Sequence, residues 1–268
     1  VLEAAVLRIS EIWIYPVKSL GGLRCHEAMA LEKGFEHDRR WMLVDAQNRF
    51  ITQREHPRLA LFSVELSGGK LIITHRKTGS SVQFEASLLS NKKLKTHVWD
   101  DVVETHEVDE AISQWFTQEL GFVCRLVKFP EENQRPADKK FVPELKHVSL
   151  ADGFPYLIIG QASLDELNRR MNKPVTMQRF RPNLVFTGGE PFLEDTWKKF
   201  NIGTVPFEAV KPCARCVLTT VNPVTAEKGP EPLYTLSLFR KQNNKIYFGM
   251  NLIGLAQGLI REGDQISF

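Results

Sequence analysis

The residues best suited to chemistry stand together late in the chain. Cys213 and Cys216 bracket Ala214 and Arg215 in the stretch VKPCARCVLTTVNP, residues 210–223. Thiols at this spacing support three chemistries: a zinc site, thiol–disulfide exchange, or a soft ligand for a metal held mainly by something else. Structural zinc takes four ligands, usually with a second Cys pair or a His pair. No second C-x-x-C exists and the last histidine is His147, so no zinc is expected. Thioredoxin-type exchange uses a helix after the motif, whose N-terminus lowers the thiol pKa. The β-branched run and Pro223 that follow Cys216 argue against a helix there and predict a strand. A thiolate ligand needs only one cysteine. Arg215, beside Cys216, is expected to favour that thiolate and to hold an anionic group. A buried, inert cysteine pair is the plain alternative, and the residues by themselves leave those two readings open.

An anionic cofactor needs cations converging from elsewhere, and three segments offer them. YPVKSLGG places Lys18 and Ser19 after an apolar strand and before a Gly-Gly turn, where a hydroxyl and free amides can cradle a phosphate. An ordinary turn with a solvated lysine explains the same residues. HDRRW puts Arg39 and Arg40 at a strand start; alternation sends them to opposite faces, so at most one meets a shared site. RFRPNLVF places Arg179 and Arg181 on one face, with Asn183 after the proline; a strand cap would use them equally well. The SGGK of residues 67–70 looks like part of a phosphate loop. It lacks the full spacing and the following helix, and reads as a hairpin turn.

The elements that must position these groups are mostly strands. RISEIWIYPV alternates, RRWMLVD and RFITQ read as two strands about a polar turn, and LALFSVEL-SGG-KLIITH is a clear hairpin. THVWDDVVETHEV predicts another hairpin. A helix fits from Asp109, its cap, to Leu120, with Ile112, Trp115, Phe116 and Leu120 on one face and Gly121 as the stop. FVCRLVKF follows as a strand. PEENQRPADKKFVPELKHVS predicts a long loop, a domain boundary or lid. A second helix is expected near Ser163, which has capping-box spacing to Glu166, and ends before Pro174. Strands are expected for PNLVFTG, GTVPFEAV, CVLTTV, YTLSLFR and KIYFGMNLIG, with a strand–turn–strand at GLIREGDQISF. The fold class is mainly β (α+β): two β-barrel-like domains with a few peripheral helices.

Length and composition set the outer bounds. At 268 residues the chain is one large domain or two small ones, and 43% hydrophobic with 25% charged residues is an ordinary globular balance. A net charge of +3 is too small to imply a nucleic-acid partner. No apolar run approaches the roughly 18 residues of a membrane span. The opening VLEAAVLRIS lacks the basic start and long apolar core of a signal peptide. Four cysteines are too few for a disulfide framework in a chain this long, and predict a reducing compartment.

Six segments in order, IWIYPVKS, HDRRWMLVD, PYLIIGQASLDELN, RFRPNLVF, CARCVLTTVNPVT and GLIREGDQISF, resemble the MOSC family, and within it the members with an N-terminal β-barrel domain such as the amidoxime-reducing components. The resemblance covers nearly the whole chain. It implies a MOSC N-terminal β-barrel domain over residues 1–122 and a MOSC domain over 123–268. It also implies a molybdenum cofactor, with Cys216 as the protein's ligand to the metal and Cys213 as a packing neighbour. Lys18, Ser19, Arg39, Arg181, Asn183 and Arg215 are implied around the pterin and its phosphate, with the backbone near Gly153 and Phe154 lining the same pocket. Two departures stand out. Ala214 replaces a serine of the mitochondrial proteins, and YFGMNLIGLAQG lacks their tyrosine, which leaves Asn251 to serve in its place.

The implied activity is reduction of amidoximes and hydroxylamines, with Cys216 tuning the metal. The alternative is a cofactor-binding or carrier module of the sulfurase type without its own reductase activity. Some bacterial relatives carry a C-terminal iron–sulfur domain that this sequence lacks. The expected electron donor is therefore a separate electron-transfer protein, a haem or iron–sulfur carrier with its reductase, or a deleted domain. His147 and Asp152 are the candidates for proton donation. A bacterial cytoplasm is the expected location, and a mitochondrion only if a targeting segment has been removed.

Overall fold

A computed structural model describes residues 6–142 and 145–268. Residues 1–5, the start of the poor signal sequence, and Pro143 and Glu144, within the proline-rich loop, lie outside the described residues.

The protein is mainly β. Among the described residues its largest sheet has nine strands: the path runs Ile266–Ser267, Lys199–Ile202, Val205–Ala214, Lys245–Gly254, Tyr156–Gly160, Leu184–Thr187, Arg8–Ile14 and Leu23–Cys25, and Lys241–Gln242 pairs with Lys245–Gly254 off that path. Tyr156–Gly160 and Leu184–Thr187 pair in parallel, because the helix Gln161–Arg169 carries the chain across between them. Alternation along Tyr156–Gly160 sends Tyr156 and Ile158 to one core and Leu157 and Ile159 to the other. That strand is therefore buried on both faces. Strands of the N-terminal half build a four-stranded sheet, Trp41–Val44, Arg125–Lys128, Asp101–Glu107 and Lys93–Val98, and a three-stranded meander, Phe62–Ser67, Lys70–His75 and Ser81–Glu85. Arg8–Ile14 joins the large sheet, and Arg125–Lys128 joins the four-stranded one.

The local signals that carried the strongest physics hold. Asp109 Oδ1 accepts from the amides of Ala111 and Ile112 at 2.8 and 3.2 Å, and the helix Glu110–Leu120 ends on Gly121 at φ 79°. Its buried face presents Ile112, Phe116 and Leu120 to the N-terminal core. Gly68 and Gly69, at φ 57° and 78°, close the hairpin at SGGK.

Four expectations are corrected. CVLTTV is not a strand: Val217–Thr220 is a 3-10 turn, in which the Thr219 and Thr220 hydroxyls donate to the carbonyls of Cys216 and Val217. Those local bonds offer the backbone an alternative to a sheet partner. YTLSLFR contains a short helix, Leu233–Ser237, held by Glu231, whose carboxylate accepts from the Thr235 amide and hydroxyl. RFITQ makes only isolated bridges, Phe50 to Val44 and Arg49 to His97, before the chain turns. Ser163 does not cap its helix, which starts at Gln161 after Gly160; its hydroxyl donates to the buried Glu194 carboxylate instead. Among the described residues no helix is long and apolar enough to cross a membrane.

Candidate functional site

The cysteine strand, Val205–Ala214, slips register against Lys245–Gly254 twice, between Ala209 and Lys211 and again between Pro212 and Ala214. The second irregularity falls at Cys213. Bulges bend a strand and re-aim its side chains, and here the strand leaves the sheet beside a cavity of about 220 Å³. Lys18, Ser19, Arg39, Gly153, Phe154, Arg181, Asn183, Ala214, Arg215, Cys216 and Asn251 all line it. The structure thus gathers into one place every residue singled out as cofactor-binding. Ser19, Arg39 and Arg181 reach it from positive-φ backbone, at 70°, 50° and 55°. That conformation is costly for residues other than glycine, and it clusters where function over-determines the backbone.

Two groups of side chains divide the wall, named mouth and floor for reference: the mouth surrounds exposed Asp152, where Lys18 Nζ donates to Asp152 Oδ1 at 2.5 Å and to the Leu150 carbonyl at 2.7 Å, and the floor surrounds Asn183. Trp99 Nε1 reaches the same carboxylate oxygen at 3.1 Å. The loop that brings Asp152 here is fastened by buried Arg135, which donates to the carbonyls of Ser149, Ala151 and Asp152. Partial burial works to raise the Asp152 carboxyl, but the charges of Lys18 and Arg54 and the bonds from Lys18 and Trp99 outweigh it and hold it well below the usual carboxylate range. Burial pushes the Lys18 ammonium down to about 8 against the pull of Asp152.

At the floor, Arg39 pairs with buried Asp38 at 2.5 Å and donates to Asn183 Oδ1 at 3.1 Å. Asn183 completes its bonding within the frame, giving Nδ2 to the Trp13 carbonyl at 3.1 Å. Arg181 donates to the Leu20 carbonyl at 2.7 Å and Arg215 to the Phe180 carbonyl at 2.5 Å. Among the described residues neither has a carboxylate within ion-pair distance. Burial pushes Arg181 down to about 10, so it stays charged at neutral pH. The guanidiniums of Arg39 and Arg181 lie 4.5 and 4.2 Å from the ring centre of Tyr15.

Other predicted residues take different places. Arg215 does not attend Cys216: its Nη1 lies 3.0 Å from Cys213 Sγ. Arg54 takes that position, with Nε 3.2 Å from Cys216 Sγ and Nη2 3.1 Å from Asp152 Oδ2. Sequence reasoning missed Arg54, because ITQREHP carries no periodicity or motif that aims a side chain. Arg179 parts from Arg181 and donates to the carbonyls of Thr219 and Thr220; the positive φ of Arg181 breaks the alternation that would have paired them. Arg40 turns inward to Glu131 at 2.6 Å. His147 is tied to Glu32 at 2.8 Å and is absent from the cavity wall.

The cavity fits an anionic, metal-bearing group. Arg215 Nε is buried without a partner, and a buried donor left unpaired is costly. Five cationic side chains, Lys18, Arg39, Arg54, Arg181 and Arg215, line the wall with one carboxylate, Asp152. Among the described residues no cluster of three or more His, Cys, Asp or Glu is arranged to hold a metal ion. A metal at Cys216 would therefore draw its remaining ligands from the group that carries it.

Two family models match the chain, the MOSC N-terminal beta barrel domain over residues 6–122 and the MOSC domain over residues 146–267. Human mitochondrial amidoxime-reducing component 1 is 33% identical, over 96% of this chain and 82% of that protein. Mitochondrial amidoxime reducing component 2 of Bos taurus is also 33% identical, with the same coverage. The molybdenum cofactor sulfurase of Oryza sativa subsp. japonica is 29% identical over 92% of this chain and 32% of that protein.

Proposed function

The chain belongs to the MOSC-domain family, in the branch that carries the MOSC N-terminal β-barrel domain and includes the amidoxime-reducing components, and from that membership we propose that it is a molybdenum-cofactor-dependent reductase of N-hydroxylated compounds. The observation that carries the reading is the cavity itself: the Cys216 thiol beside five cations, of which Arg181 and Arg215 have no carboxylate partner among the described residues. Cys216 Sγ would ligate the metal. Arg181 and Arg215 would hold the anionic tail of the pterin, with the Ser19 hydroxyl and Lys18 beside them. When bound, the cofactor supplies two-electron removal of oxygen from an N–O bond. An amidoxime plus two electrons and two protons then gives an amidine and water. The electrons come from a separate electron-transfer protein.

The protein's own task is to place charge and protons. Asp152 is held ionised by its neighbours and so orients rather than donates. The Lys18 ammonium, pushed down to about 8 and bonded to Asp152, suits a general acid at this mouth. The match to a third of a cofactor sulfurase favours a second reading, in which the same cavity binds the cofactor and reduces nothing.

Elemental analysis of protein made in a cofactor-competent host, wild type beside Cys216→Ala, tests the site. Near-stoichiometric molybdenum in the wild type is expected, with the metal lost or spectroscopically altered in the variant. A wild type without molybdenum would sink the proposal. Reduction of benzamidoxime by the loaded protein with a chemical electron donor then separates the reductase from the carrier.

A further inference from the structure

One side chain at the mouth is placed by geometry more tightly than its ion pair requires. Arg54 presents Nε and Nη2, the two donors of one guanidinium edge, to two acceptors: Cys216 Sγ at 3.2 Å and Asp152 Oδ2 at 3.1 Å. An arginine paired only with a carboxylate uses that edge to grip both oxygens. Here the second oxygen, Oδ1, is held instead by Lys18 and Trp99. Asp152 is thus fixed from three directions, and one of those directions is shared with the sulfur.

Arg54 is itself held. Its guanidinium lies 4.5 Å from the ring centre of Trp99, its amide is bonded to Thr52 Oγ1 at 3.0 Å, and its carbonyl accepts from Lys228. Arg54 and the two groups it connects come from distant parts of the chain: a loop of the N-terminal half, the loop before Tyr156–Gly160, and the turn after the cysteine strand.

We propose that Arg54 is a positioning residue that sets the Cys216 sulfur and the Asp152 carboxylate against each other on one rigid edge, and so fixes where the metal's thiolate stands relative to the group beside which substrate must react. The role rests on the reductase reading for its consequence in turnover, though not for the tie itself. A planar fork does this and a lysine cannot, because an ammonium is a point charge without a fixed pair of parallel donors.

Two measurements test it. In cofactor-free protein, a double-mutant cycle of Arg54→Gln with Asp152→Asn reads the tie by denaturant unfolding. The double variant's unfolding equilibrium constant is expected to depart from the additive value by about fivefold, as for residues in direct contact; additivity overturns the tie. In loaded protein, Arg54→Gln is expected to shift the electron paramagnetic resonance signal of the one-electron-reduced state. It should also lower kcat on the order of 100-fold, the scale of a small misplacement, with KM little changed. Arg54→Lys should restore neither fully. An unchanged signal with unchanged kcat overturns the positioning role. If either variant fails to retain molybdenum, the cofactor-free cycle decides. Failure of the wild type to hold molybdenum counts against the reductase reading alone, since the cycle is read without it.

Discussion

The mouth and the floor of the cavity use the same kinds of cation in opposite ways. At the mouth, Lys18 and Arg54 converge on one carboxylate, Asp152, and Arg54 adds the Cys216 sulfur. A thiolate there would balance the group, two cations against two anions. At the floor, Arg181 and Arg215 are oriented by backbone carbonyls and by aromatic rings. A carbonyl fixes the direction of a guanidinium without cancelling its charge. Under the proposed function the difference separates two jobs: the floor would keep positive charge free for an anion, while the mouth would hold a fixed constellation for chemistry. Arg39 is the floor's exception: paired with Asp38 and bonded to Asn183, its charge is matched within the frame.

The comparison is broken most sharply at Cys216. Cys216→Ala is expected to lower turnover by about 1000-fold or more, on the scale of losing a group essential to the reacting centre, yet to retain pterin, because the floor is untouched. Loss of pterin together with the metal, read by fluorescence of the released pterin, would show that mouth and floor do not act separately. Arg181→Gln makes the converse change. It removes charge-assisted bonds worth about 1.5–3 kcal/mol, or roughly 10- to 150-fold in cofactor retention, and leaves the sulfur in place. Dialysis followed by pterin and molybdenum assay checks it; retention equal to wild type would remove Arg181 from the anion site.

How much of this division is visible in the sequence depends on which force decides each element. Where local forces decide, the sequence suffices: the Asp109 cap, the Gly121 stop and the Gly68–Gly69 turn stand as read. Where the partner is remote, it does not. The β-branched VLTT run reads as strand, but among the described residues it pairs with none, and threonine hydroxyls bond it into a turn. The same limit governs the site. Segment likeness pointed to eleven wall residues, yet the partner of Cys216 was assigned to its chain neighbour Arg215. The structure gives it to Arg54, 162 positions away. Sequence adjacency is a poor guide here because the bulge at Cys213 and the turn after Cys216 aim neighbouring side chains at different targets.

A pH series sharpens the comparison through Lys18, which touches both jobs. Its folded value is about 8 against an ordinary 10.5. Between those values the unfolded chain holds a proton that the folded one has released, so this group's contribution to stability rises with pH across that window and is a standing penalty below it. Anion binding has the opposite sign, because the ammonium is lost as pH climbs through about 8. The wild type minus Lys18→Met difference in denaturant midpoint should therefore move in favour of the wild type from pH 8 to 10. Over the same range, its advantage in binding an anion to the empty cavity should shrink. Slopes of the same sign would mean that Lys18 serves only the frame.

The smallest expected effect tests whether the floor can still gain. Ala214 sits on the cavity wall beside Arg215, at the last paired position of the cysteine strand, opposite Tyr247. Its methyl offers no donor where a hydroxyl would face the same space. Ala214→Ser adds one neutral hydrogen bond, worth about 0.5–1.5 kcal/mol if it is made. Cofactor retention should improve by roughly two- to tenfold without any change in the signal of the metal, because the substitution leaves the bonds of Arg54 to Cys216 and Asp152 untouched. An altered metal signal with unchanged retention would place residue 214 at the mouth and redraw the line between the two regions.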